Sequence, residues 1–269
     1  MCAAVIIVLI LFTFNQINLI STEYAMAQLK SIRNVNEYSV ALKKIPYYCL
    51  TVGNKERVNH ITSGFQGFDL RFVNPPLLKN DDITKAKSGA SGFCKIIDVG
   101  LRNQDKFKSF QPFVIVEDDV SQYRPFPETL KIPRDADLVY LGISIFSIHD
   151  NVYFERTTIP GIHKVFGMYS THMILVCSST GANLITRTTI EDGLNDTAWD
   201  MLLADVHPFY NIYALSVPLA YQDKSVGGQE GGTKWDFPSK KIDLIVDKVP
   251  INTKIENEKK NSIAYQVSK

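Results

Sequence analysis

Phe113-Val114-Ile115-Val116-Glu117-Asp118-Asp119-Val120 is an apolar, β-prone run that passes directly into three carboxylates. A short apolar run without alternation reads as a strand buried on both faces of an open sheet. Three adjacent carboxylates at its end repel one another, and burial would raise their pKa values. A divalent cation resolves that conflict: a hard cation such as magnesium takes one or two carboxylates and leaves positions for substrate phosphates. In an extended chain alternate side chains share a side. Glu117 and Asp119 are therefore expected to project together as one acidic tip, with Asp118 opposite. In open α/β sheets the carboxyl ends of the strands are where ligands bind. The plainer alternative is a solvated turn or a helix cap.

Outward from this stretch, strands and helices alternate. Residues 47–52 form an apolar, aromatic run closed by Gly53, which suits a buried strand. Residues 55–65 read as a helix and 69–73 as a second strand, closed by Pro75 and Pro76. Residues 89–101 carry Phe93, Ile96, Ile97 and Leu101 at helical spacing. Pro125 and Pro127 mark a loop and a helix start. Residues 138–141 are a further strand, stopped by Gly142. Residues 143–148 and 152–154 are short β-like pieces, and 173–176 is a strong strand followed by a helix from Gly181. Residues 197–206 are helical, with Trp199, Leu202, Leu203 and Val206 on one side. Residues 212–217 are the last clear strand. Alternation of this kind predicts an α/β sandwich with a mostly parallel central sheet.

The chain has 269 residues, enough for a single large domain with a sizeable core. Its formal net charge of +1 supplies no general pull toward nucleic acid or acidic lipid, and there is no nucleic-acid motif. Cys2, Cys49, Cys94 and Cys177 match no zinc spacing. They are read as free thiols, with one disulfide among the last three as the alternative. Residues 3–14 are apolar but for Thr13, shorter than the roughly 18 residues of a spanning helix. With Ala25-Met26-Ala27 as a small-x-small cleavage site, residues 1–27 read as a secretory signal or a membrane anchor. Either places the body in the secretory lumen or outside the cytoplasm, the anchor adding membrane association. Residues 28–44 read as a stem or linker, 45–238 as one domain and 239–269 as a polar tail.

The stretch from Phe113 to Val120 resembles the aspartate-rich motif of GT-A glycosyltransferases. More narrowly it resembles glycosyltransferase family 25, the group of lipooligosaccharide and collagen galactosyltransferases. Further matches follow in order. Tyr48-Cys49-Leu50 with Arg57 is similar to the family's first strand and its arginine. Gly89-Ala90-Ser91-Gly92 is similar to its Gly-rich turn, and Asp137 to Gly142 to its Asp…Leu-Gly strand. Thr171-His172 through Gly181-Ala182 resembles its Thr-His strand and the helix behind it. Asn195-Asp196 resembles the acidic opening of its late helix, and Pro218 to Gln222 its Pro…Gln close. One departure stands out: the family has Ser-His on the helix after its Gly-rich turn, where this chain has Cys94-Lys95-Ile96-Ile97.

The resemblance implies a GT-A-like, Rossmann-type α/β/α sandwich. It also implies transfer of a sugar from a nucleotide-sugar donor, a UDP-sugar first of all, to a carbohydrate, lipid-linked or protein acceptor with inversion. Mn2+ or Mg2+ would be held by Asp119 with Glu117. Arg57, Glu117, Asp118 and Gln222 would line the donor. Asp196 would take the proton of the attacking hydroxyl, with Asp200, one helical turn later, as the second choice; the plain reading of Asp196 is a helix N-cap. His172 reads as a structural histidine. The competing readings are a non-catalytic GT-A-like binding domain, motivated by the missing Ser-His, and a metal-dependent phosphohydrolase built on the same carboxylates.

Overall fold

The computed structural model describes residues 32–75, 82–104, 107, 109–142, 153–166, 171–194 and 199–226. The apolar N-terminus, the segments 143–148 and 227–232 and the C-terminal tail lie outside them.

The strands of the main sheet are β2 (Pro46–Leu50), β3 (Asp69–Val73), β4 (Phe113–Glu117), β7 (Leu138–Tyr140), β8 (Tyr153–Arg156), β9 (Ile162–Phe166), β10 (Met173–Val176) and β11 (Ile212–Leu215). They lie in the order β3-β2-β4-β10-β7-β11-β9-β8. β3, β2, β4, β7, β11 and β8 run one way, and β10 and β9 run against them. The protein is thus mixed α/β. Its sheet is mixed rather than uniformly parallel, because β10 enters between β4 and β7 antiparallel to both.

Period-two alternation splits the central strands between two cores. Phe113 and Ile115 face one side with Tyr48, Ile174 and Tyr140. Val114 and Val116 face the other with Tyr47, Cys49, Leu175 and Val139. Three helices cover the first side: α2 (Asp82–Arg102), α3 (Ser179–Leu194) and α4 (Trp199–Val206). Phe93 of α2 packs on Trp199 of α4 with ring centroids 4.5 Å apart. The second side is covered by α1 (Lys55–Gly64), through Ile61, and by a separate two-stranded sheet of β1 (Glu37–Ala41) and β6 (Thr129–Pro133). Phe65, Phe68 and Phe126 form an aromatic cluster with Tyr47 on this side.

Several expectations change here. Glu37–Ala41, inside the presumed linker, is a strand in register with Thr129–Pro133, so the folded body takes in residues before position 45. The prolines at 125 and 127 open no helix; the chain there leads into strand β6. The helical stretch read at 89–101 is present and starts earlier, at Asp82, so Gly89-Ala90-Ser91-Gly92, similar to a Gly-rich turn by the resemblance, lies within α2. Gly92 serves close packing instead: a Cβ there would sit 2.3 Å from Leu50 Cδ1 at the end of β2. The strand at Ile212 is not the last, because β12 (Ala220–Gln222) follows and pairs antiparallel with β5 (Val120–Gln122). Cys49, Cys94 and Cys177 are free thiols. Among the described residues no helix is long and apolar enough to cross a membrane.

Candidate functional site

The site forms where β2 and β4, parallel neighbours with Leu50 beside Glu117, reach their carboxyl ends. β2 passes into Thr51 and then Gly53, whose φ of +80° is left-handed and suits glycine. Asn54 caps α1 by accepting from the Glu56 and Arg57 amides. That cap sets the first turn of α1 and carries Arg57 to the tip of β4.

β4 stays extended only to Glu117, whose amide donates to the His172 carbonyl at 2.9 Å. The chain then turns through Asp118 and Asp119 into β5. The extended geometry expected of all three carboxylates therefore stops at the first of them. Asp118, 4% exposed, faces α1: Thr51 Oγ1 donates to its Oδ2 at 2.6 Å and Arg57 Nη1 to its Oδ1 at 3.0 Å. Asp119, also 4% exposed, lies 3.9 Å from the same Nη1. Its Oδ2 accepts from Gln222 Nε2 at 3.1 Å, and its Oδ1 is buried with no hydrogen-bond partner among the described residues. Arg57 Nε also donates to the Val226 carbonyl at 3.1 Å, tying the chain beyond β12 to the same corner.

Glu117 has a different environment. Thr171 Oγ1 donates to its Oε1 at 3.2 Å. Burial of the carboxyl, followed by the charges of Asp119, Asp118 and Asp200, raises its pKa to about 8, against the Thr171 bond. Asp119 is also raised, chiefly by burial and against the pull of Gln222 and Arg57. Asp119 is thus the strongest neighbouring charge on Glu117, and the two act as an electrostatic pair while Asp118 is neutralised separately.

Asp200 sits on the first turn of α4, and its charge acts both on Glu117 and on the buried Tyr140 hydroxyl. Tyr140 is held by His207 Nε2 at 3.0 Å. His207 opens the short 3-10 turn that follows α4, so the helix and the turn after it meet the end of β7 through Asp200 and His207. The structure therefore gathers Arg57, Glu117, Asp118, Asp119, Asp200 and Gln222 at one end of the sheet. Asp196 lies outside the described residues.

His172 is a packing residue: it is buried, burial lowers its pKa to about 4, and a Cβ on Gly142 would lie 2.3 Å from its Nε2. Asp137 stands at the opposite end of β7, accepting from Ser178 Oγ at 2.6 Å and the Asn211 amide at 3.0 Å, which knots three segments together. Thr171 was singled out only through the resemblance, and Thr51, His60, Ser121 and Asp223 carried no signal in the sequence. Polar residues of these types are common, and their partners lie far along the chain, 67 residues away for Thr51 and 102 for Ser121.

No protein-family model matches the chain, and neither does any curated protein.

Proposed function

We propose that the protein is a glycosyltransferase of GT-A-like architecture, using a nucleotide-sugar donor with a divalent cation and inverting the transferred sugar. The observation that carries this reading is the carboxylate Asp119: buried at the carboxyl end of a central strand, with one oxygen unpartnered among the described residues. A buried charged acceptor left unpaired is costly unless a cation or donor meets it. Glu117, pressed by like charges, is the natural second ligand. Among the described residues no group of three or more His, Cys, Asp or Glu side chains is arranged to hold a metal ion. Two carboxylates suit magnesium or manganese, which complete their coordination with substrate phosphates and water. The sheet, covered on both faces with its acidic tip at a strand's carboxyl end, supports the architectural part of the proposal.

In this reading Asp119 and Glu117 would hold the cation, which would supply positive charge to offset that of the donor diphosphate and the leaving nucleotide. Gln222 keeps Asp119 turned toward it. Arg57, held by Asp118, faces the same anionic group with its guanidinium. Asp200 accepts the proton of the acceptor hydroxyl; that oxygen attacks the anomeric carbon as the bond to the diphosphate oxygen breaks. Asp196 is the alternative base.

A second reading is a non-catalytic GT-A-like domain that binds a sugar, a nucleotide or a partner. Arg57 favours it, because a guanidinium already neutralises Asp118 and reaches Asp119. Thermal unfolding against a panel of sugar-nucleotides, with and without Mn2+, separates the two. A stabilisation that needs both Mn2+ and one nucleotide, together with sugar transfer to an acceptor, supports the enzyme. Nucleotide binding without turnover over a wide acceptor set selects the binding domain.

A further inference from the structure

Beside the carboxylates lies a bracket of side chains that the proposed chemistry does not use. Ser121 of β5 lies 2.9 Å from His60 Nε2 on α1, and its Oγ donates to Asp223 Oδ2, just past β12, at 2.8 Å. A serine hydroxyl has one proton. With that proton given to Asp223, His60 must donate its Nε2 proton to the serine oxygen. The order His60–Ser121–Asp223 therefore runs one way, and the serine is a link between two elements rather than a nucleophile. Asp223 is held further by the Ser225 amide and hydroxyl on Oδ1, at 2.9 and 2.7 Å, and by Tyr221 Oη at 3.4 Å from Oδ2. So anchored, the Asp223 amide donates to the Asp119 carbonyl at 2.6 Å, and its chain neighbour Gln222 donates to Asp119 Oδ2 at 3.1 Å.

We infer that Ser121 is a positioning residue: bridging His60 and Asp223, it sets the place of β12, and through Gln222 and the Asp223 amide it fixes the direction of the Asp119 carboxylate. This rests on the proposed reading only for its purpose, the aiming of Asp119 Oδ1 at a cation. The bracket itself rests on the distances. Removing the hydroxyl leaves His60 and Asp223 without their link; the β5–β12 ladder remains, but the chain at Gln222 and Asp223 loosens and lets Asp119 rotate. Outer partners of a metal ligand typically change affinity by about ten- to a hundredfold when removed.

The test uses the full chain as wild type, Ser121→Ala and Ser121→Thr, with His60→Ala as a second lesion should Ser121→Ala fold poorly. Two quantities are read at a temperature where each variant is folded: hydrogen exchange at the Asp223 amide, and Mn2+ affinity with UDP present, from the spectroscopic signal of free Mn2+. Ser121→Ala is expected to speed exchange at Asp223 by about five- to tenfold and to weaken Mn2+ by about tenfold or more, with Ser121→Thr near wild type. Exchange at Asp223 unchanged by Ser121→Ala overturns the bracket. Faster exchange or a lower melting temperature with Mn2+ affinity intact shows a merely structural role and overturns the positioning. If wild type binds no Mn2+ with UDP, the cation reading fails instead, and the exchange at Asp223 alone decides whether the bracket holds β12.

Discussion

Asp119 and Arg57 make opposite predictions although they lie 3.9 Å apart. Asp119 is a buried charge with an unpartnered oxygen, so Asp119→Asn removes a burden from the fold while removing a ligand. It is expected to melt at or above the wild-type temperature and to lower Mn2+-dependent sugar transfer by about a hundredfold or more. Transfer above a tenth of wild type would exclude Asp119 as a ligand. Arg57→Ala instead leaves Asp118 buried without its cation. Truncating one partner of a buried pair is strongly destabilising, and with Arg57 partly open to water a loss of about 1–3 kcal/mol is expected in urea unfolding. Asp118→Asn in the same background should recover part of that loss. An Arg57→Ala protein as stable as wild type would show that Thr51 alone satisfies Asp118. The three acids were legible in the sequence as a candidate site, because a charged triplet at the end of an apolar strand conflicts with burial. Alternation also anticipated Glu117 paired with Asp119 and apart from Asp118, although a turn at Asp118 and not an extended strand produces that outcome. The distinct partners of each acid, Arg57 for Asp118 and Gln222 for Asp119, were not legible.

At the scale of elements, glycines mark where helices and strands meet most closely. Gly142 faces the ring of His172 across the end of β7, and Gly92 lets α2 lie on Leu50. Gly142→Ala forces its methyl into an imidazole held in a buried site, and overpacking of this kind costs about 1–3 kcal/mol. His172→Ala in the same chain opens the space, so a double-mutant cycle in urea should return a favourable coupling between the two substitutions. Strictly additive effects would mean that the ring moves aside freely. Most strands were readable from apolar runs, including Asp69–Val73 and Met173–Val176. β1 and β6 were not, since each carries few buried residues, such as Val40 and Ile132, among exposed polar ones, and the two strands form by pairing with each other. Spacing placed Gly89 and Gly92 in a helical stretch while the resemblance made them a turn; the helix is what forms, and Gly92 is required by the distance between that helix and a strand.

The whole molecule carries an acid liability in its buried histidines. His207 is fully buried against Tyr140, and burial pushes its pKa down to about 3. In the unfolded chain the same imidazole takes up a proton near its ordinary value of 6.5. The stability tied to keeping His207 neutral is therefore present above pH 6.5 and is lost progressively as pH falls toward 3. The slope is about 1.4 kcal/mol per pH unit for each such histidine. The raised carboxyl of Glu117 slopes the other way, so the difference is what counts. In urea unfolding between pH 6 and pH 4, wild type should lose stability toward acid more steeply than His207→Gln by about one proton's worth. An equal slope in the variant would place the acid sensitivity elsewhere.

From its residues alone the chain dictates an α/β alternation, a strand buried on both faces from Phe113 and an acidic cluster at its end, because apolar periodicity and charge density are local properties. Only the tertiary structure decides that β10 enters antiparallel between β4 and β7, that Arg57 from α1 claims Asp118, and that Gln222 and the Ser121 bracket hold Asp119. The side-chain bonds among them join residues 61 to 103 positions apart. Hydrogen bonds at such separations exist only once packing has brought the elements together, and no spacing in the sequence encodes them.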